Sequence, residues 1–303
     1  MQLETASNQA KRLCRLLDDH KDVDVRPLQG FQVGWETDQQ LPADRVRRTT
    51  VCMLHYNFDT PSVVRWIGGP HTADHRDIEA ILQRLEGIVD PAVHKNLARI
   101  FRYGSPAHCN ATSSTVNLQA YREYGNHKTV EADRDKTYSC LVKDSKKGYI
   151  LTMDPAILDF VYNIHLTPQG MIDLEHLYKK PRPIFDSSFR PTPACFALND
   201  WTNKRNEPPL HFAGLFNRFC EWIWNLRISY PYEEIYPFDD DVTGAFRHAK
   251  YAPNLVAMHS FTSSGVLCMA TGQKFGDCVS PPNWEPLAMA RQQFARHLWG
   301  KDD

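Results

Sequence analysis

The chain has almost no excess charge of either sign: 35 lysines and arginines stand against 36 aspartates and glutamates, a formal net charge of −1. A protein that grips a duplex through its overall charge carries a basic surplus, so affinity for nucleic acid would have to come from local patches. None of the eight cysteines (Cys14, Cys52, Cys109, Cys140, Cys195, Cys220, Cys268 and Cys278) shares a Cys-x-x-Cys spacing with another. The N-terminus, Met1-Gln2-Leu3-Glu4-Thr5, has neither the basic start nor the apolar core of a secretory signal. Together these features imply reduced thiols in an intracellular protein. No apolar run is long enough to span a bilayer; the longest, Phe212 to Leu226, is interrupted by Asn217, Arg218, Glu221 and Asn225. Repeats and low-complexity blocks are also missing. What is present is ordinary globular usage, 42% hydrophobic and 23% charged, in a length that suits one large domain or two smaller ones.

Residues 1–148 read as a mainly helical region. A short amphipathic helix is expected over Ala10 to Leu17, followed by a polar stretch ending in Arg45, Arg47 and Arg48. Ile78, Ile81, Leu82 and Leu85 recur at helical spacing after Asp77, and Val93, Leu97, Ile100 and Phe101 do so after Asp90-Pro91, a cap followed by a first-turn proline. Gly104-Ser105-Pro106 punctuates the chain, and residues 105 to 150 read as polar and turn-rich up to a turn at Lys147-Gly148. A boundary is expected there. Beyond it, Tyr149-Ile150-Leu151, Ile164 to Ile172 and Pro183-Ile184-Phe185 read as strands, with Lys179-Lys180 at a hairpin tip. Phe212, Leu215, Phe216, Phe219, Trp222, Ile223 and Leu226 fall on one helical face, the pattern of a core-packing helix. Glu234 to Phe238 reads as a strand despite Pro237. A hairpin is expected from Val256 to Phe261 and Val266 to Met269 around Ser263-Ser264-Gly265, then a helix from Ser280-Pro281 to the end. Strands and helices in this irregular order indicate an α+β fold.

Three segments have residue types suited to phosphate and metal chemistry. Lys180-Pro181-Arg182 opens an apolar strand with two cations, and a guanidinium both clamps phosphates and stacks on a base. Asp239-Asp240-Asp241 precedes Val242-Thr243-Gly244-Ala245-Phe246; a carboxylate such as Asp241 at a strand end, with the Val242 carbonyl, suits a hard cation such as Mg²⁺. Read alone, the acidic run is a solvated turn or a helix cap. Phe275-Gly276-Asp277-Cys278-Val279-Ser280-Pro281 is a glycine turn leading into a helix start. His71 and His75, at i, i+4 spacing, form a nominal zinc set with His108 and Cys109; they follow Gly69-Pro70 and precede the apolar register, so surface or capping roles are the simpler account.

In this order the three segments resemble the reverse transcriptases of retroviruses and retrotransposons, over residues 164–299. His165 to Ile172 is similar to the family's first fingers strand. The resemblance implies an incomplete right-hand polymerase, with fingers and a partial palm over residues 149–303 behind the helical region. It implies templated DNA synthesis from RNA or DNA template–primer and dNTP, with Mg²⁺ as cofactor. Asp241 would be the catalytic aspartate, binding metal together with Val242. Arg182, with Lys180 on the same rim, would contact the triphosphate, and Phe246 would gate the sugar. Phe275, Gly276, Ser280 and Pro281 would shape the nucleotide pocket and template grip, Phe275 matching the retrotransposon variant. The family's Tyr-x-Asp-Asp hairpin does not follow Ser280-Pro281, and Asp302-Asp303 has no strand before it. The expectation is therefore a truncated, mobile-element-derived chain without turnover of its own. The alternative is a non-catalytic module that binds nucleic acid or protein.

Overall fold

The computed structural model describes residues 2–22, 43–68, 76–106, 115–172, 181–203, 205, 215–235, 242 and 244–299. The first part is helical: α1 (Gln2–His20), α2 (Ala43–His55), α3 (Thr60–Gly68), α4 (Ile78–Leu85) and α5 (Pro91–Tyr103). Local chemistry sets the ends of α4 and α5. Asp77 accepts the Ala80 N–H at 3.1 Å, and Asp90 accepts those of Ala92 and Val93 ahead of Pro91. Gly104, at φ 82°, ends α5 where a side chain would collide with the Ala252 backbone. The first helix extends well past the expected Ala10–Leu17.

The stretch after Gly104, expected to be turn-rich, is largely helical: α6 (Thr115–Tyr124), α7 (Lys128–Ala132) and α8 (Arg134–Lys146). Neither α6 nor α8 contains glycine or proline, and α8 buries only Thr137, Leu141, Val142 and Ser145. So narrow a stripe gives little periodic signal, and tertiary packing supplies the rest.

β1 (Ile150–Met153), β4 (Ser260–Ser263) and β5 (Val266–Ala270) form an antiparallel sheet with β5 central, pairing Leu151 with Met269 and Phe261 with Cys268. Ser264 (φ 49°) and Gly265 (φ 79°) make the tight β4–β5 turn at the expected place. β2 (Gln169–Ile172) and β3 (Arg182–Phe185) pair separately, Ile172 opposite Arg182; the expected Lys179-Lys180 tip lies outside the described residues. Two strand expectations shrink. Leu166 makes only a single bridge, to Ser260, before Pro168 interrupts the run. Pro253–His259 winds into 3₁₀ turns, with every residue but Asn254 buried, so no alternation exists to extend β4.

One hydrophobic core joins Leu16, Met53, Val63 and Ile67 to Leu151, Ile157, Phe261 and Met269, and so runs across residue 148. A second joins Val93, Leu97 and Phe101 to Leu287 and Ala290 of α10 (Ser280–Trp299). The aromatic helix α9 (Leu215–Ser229) forms as expected but is not core-packed: Phe219, Trp222 and Trp224 are 46%, 53% and 67% exposed. Helical spacing reveals a stripe; it does not say what covers it. Among the described residues, no helix is long and apolar enough to cross a membrane, and every described cysteine is a free thiol.

Candidate functional site

Beyond β5 the chain runs through Thr271 to Val279 into α10, and two glycines let this loop approach neighbouring backbone. A Cβ at Gly272 would stand 2.6 Å from the Arg247 carbonyl oxygen. Gly276, at φ 114°, would carry a Cβ 1.9 Å from the Phe185 oxygen. Phe185 N–H donates to the Phe275 carbonyl at 3.2 Å, so the loop lies against the end of β3. Asn199 clasps its other side, donating to the Gly276 carbonyl and accepting from the Cys278 N–H, each at 3.0 Å.

Beneath the loop is a buried polar cluster centred on Asp277. The hydroxyls of Ser187 and Tyr251 donate to its carboxylate, and Tyr251 in turn accepts the Lys274 N–H at 3.0 Å. His259 Nδ1 stands 2.8 Å from Asp277 Oδ2, off the direction of a well-formed hydrogen bond. Lys274 Nζ donates to Thr167 Oγ1 at 3.2 Å, 3.9 Å from Asp277 Oδ1 and 5.3 Å from the centre of the Phe185 ring. Burial alone would raise the Asp277 carboxyl. Lys274, His259 and the Ser187 hydrogen bond overcome it and hold the group well below the usual carboxylate range. Burial lowers Lys274 to about 8, against the pull of Asp277. Burial likewise lowers His259, and lowers His165 to about 3. Tyr251 is raised, by burial and then by Asp277. Sealed from solvent, these groups cannot meet a substrate; their chemistry is to fix the loop.

The structure brings together the described parts of the three segments singled out in the sequence. Arg182 is exposed at the start of β3. Phe246 lies in the 3₁₀ turn Ala245–His248, its ring centre 5.8 Å from that of Phe275, and Phe275 is 61% exposed. Gly276 is exposed on the same loop, and Pro281 is half-buried in the first turn of α10. Ser280 is fully buried and donates to the Lys274 carbonyl at 2.8 Å, closing the loop. The Val242 carbonyl accepts the Ala245 N–H at 3.0 Å and keeps a second lone pair. Lys180 and Asp241 lie outside the described residues, as do Pro237, His71, His75, His108 and Cys109. Among the described residues, no group of three or more His, Cys, Asp or Glu side chains is arranged to hold a metal.

Sequence reasoning missed Lys274, Asp277, His259, Tyr251, His165, Ser187 and Thr167. Asp277 lay within the Phe275–Pro281 segment, and His165 and Thr167 within the run similar to a fingers strand, but none was given a role, and a charged residue after Phe-Gly reads as a solvated turn. No protein-family model, no curated protein and no solved structure matches this chain.

Proposed function

We propose that this chain is a reverse-transcriptase-like protein derived from a mobile element, with residues 149–303 forming fingers and part of a palm that bind nucleotide and template–primer. The observation carrying this reading is the convergence of three segments remote in sequence: β3 with Arg182 at its head, the Phe246 turn, and the Phe275–Pro281 loop. In the proposal Arg182 binds the triphosphate by charge and hydrogen bonding. Phe246 excludes a sugar 2′-hydroxyl, and Gly276 lets backbone lie close to nucleic acid. Ser280 shapes the pocket from beneath through the loop it closes, beside Pro281. Lys180 and Asp241 enter by resemblance. Asp241 and the Val242 carbonyl would ligate Mg²⁺, which supplies charge neutralisation on the triphosphate. One aspartate does not position two metals, so turnover would need carboxylates additional to those in these segments.

Template–primer and dNTP titration, followed by fluorescence anisotropy, tests the reading. Arg182→Ala is expected to weaken dNTP binding about tenfold, the scale of a charge-assisted contact. Unchanged affinity in that variant, or a wild-type protein that binds neither ligand, sinks it. Primer extension that Asp241→Asn abolishes would identify an active polymerase.

A non-catalytic interaction module is the second reading, and the uncovered aromatic face of α9 favours it. Sedimentation of wild type against Trp222→Glu tests it, self-association lost in the variant being the supporting result.

A further inference from the structure

The residue after Phe246 is held more firmly than a surface turn requires. Arg247 Nη2 lies 2.9 Å from Asp144 Oδ2 near the end of α8, with the two side chains only 12% and 20% exposed. Its guanidinium stands 5.3 Å from the centre of the Phe185 ring, on the strand that Arg182 opens. Its backbone is fixed as well. The N–H donates to the Gly244 carbonyl at 2.8 Å, and its carbonyl oxygen packs against Gly272, where no larger residue fits. Asp144 is anchored in turn, its carbonyl accepting the Tyr149 N–H at 2.9 Å just ahead of β1. Successive residues of a 3₁₀ turn point about 120° apart. Arg247 therefore faces inward to α8 while Phe246 turns to Phe275. An ion pair this sheltered from water is screened less than one at the surface, and a bond to a planar guanidinium sets direction as well as distance.

We propose that Arg247 is a positioning residue: paired with Asp144, it fixes the height of the Phe246 ring, making sugar selectivity depend on the helical region. The proposal rests on the reading of Phe246 as the sugar gate. Arg247 touches no reacting atom. It acts by denying its neighbour the small displacements that blur a steric filter, and misplacements of about 1 Å can cost as much as a hundredfold in an organised site.

The test compares dUTP with UTP, which differ only at the 2′ position, by isothermal titration in the presence of poly(rA)·oligo(dT) and Mg²⁺. Asp144→Asn and Arg247→Lys are expected to lower the preference for dUTP about tenfold while leaving dUTP affinity within about twofold, because specificity is a difference of affinities. The exchanged pair, Asp144→Arg with Arg247→Asp, is expected to recover part of it. Amide exchange should quicken over residues 245–249 in Asp144→Asn and stay unchanged in β4 and β5. A loss of folding alone would not shift the ratio between two ligands. Folded single variants that keep the wild-type preference, or exchange at 245–249 that does not change, overturn the brace. A wild-type protein indifferent to the 2′-hydroxyl overturns the gate itself, a result distinguishable from the first.

Discussion

Tyr251 and His259 stack nearly face to face, ring centres 3.7 Å apart and planes 12° from parallel, and both reach the carboxylate of Asp277. The 3₁₀ segment between them, Pro253–His259, folds the chain back so that the two rings meet. The loop from Thr271 to Ser280 is thus tied to the turn before β4 and, through Ser187, to the residues after β3.

Loss of the Asp277 charge should be costly, because it strands Lys274 in a dry interior. Asp277→Asn is expected to destabilise the fold by about 3–5 kcal/mol in urea unfolding, the usual result of breaking one side of a buried pair. Replacing both partners, with Asp277→Leu and Lys274→Met, should recover only the part due to the stranded lysine charge, because the buried Ser187 and Tyr251 hydroxyls still lose their acceptor.

Acid should weaken the protein well above the ordinary carboxylate range. Burial holds His165 at about 3, so it is neutral in the fold, and burial lowers His259 in the same direction. In the unfolded chain histidine takes up a proton near about 6.5. The unfolded state then binds more protons between those values, and stability falls as pH drops through that window. His165 contributes a slope of up to about 1.4 kcal/mol per pH unit, and the lowered His259 adds to it with the same sign. The lowered Asp277 carboxyl adds loss of the same sign at lower pH. Urea midpoints from pH 7 to 4 measure the slope, which His165→Phe should flatten.

Gly276→Ala should cost about 2 kcal/mol or more, combining an unfavourable φ with a clash against the Phe185 carbonyl. Gly265→Asn, at φ 79° with open space around it, should stay within about 1 kcal/mol, since asparagine tolerates that backbone region. Thermal unfolding of the two variants makes the comparison.

Trp224→Ser on α9 should change stability by no more than about 0.5 kcal/mol, as exposed positions do. A core tryptophan would lose about 3–5 kcal/mol on truncation. Chemical denaturation separates the two outcomes.

Much of the architecture was legible where local chemistry decides it. Asp90-Pro91 starts a helix, Gly104 stops it, and Ser264-Gly265 makes a hairpin, because caps and positive-φ turns need only neighbouring residues. The α8 helix was missed because its buried stripe is narrow and its exposed face polar, a pattern that resembles a loop until β1 and α7 pack beside it. The strand expected at Val256 failed because a fully buried apolar run carries no period. At the candidate site, Phe246, Phe275 and Gly276 belong to segments singled out in the sequence that the fold brings side by side. The ion pair beneath them could not: a lysine three residues before an aspartate looks solvated until Thr167, Ser187, Tyr251 and His259 arrive from elsewhere in the chain.

The middle position of β5 carries one more consequence. It is flanked by β4 on one side and, on the other, by β1, which packs against α2. A fragment starting after Met153 would leave β5 with a bare row of backbone donors and acceptors, ready to zip onto its own copies. β1 therefore guards β5 against self-assembly, and cutting the chain after Met153 should yield aggregates in place of two independent pieces.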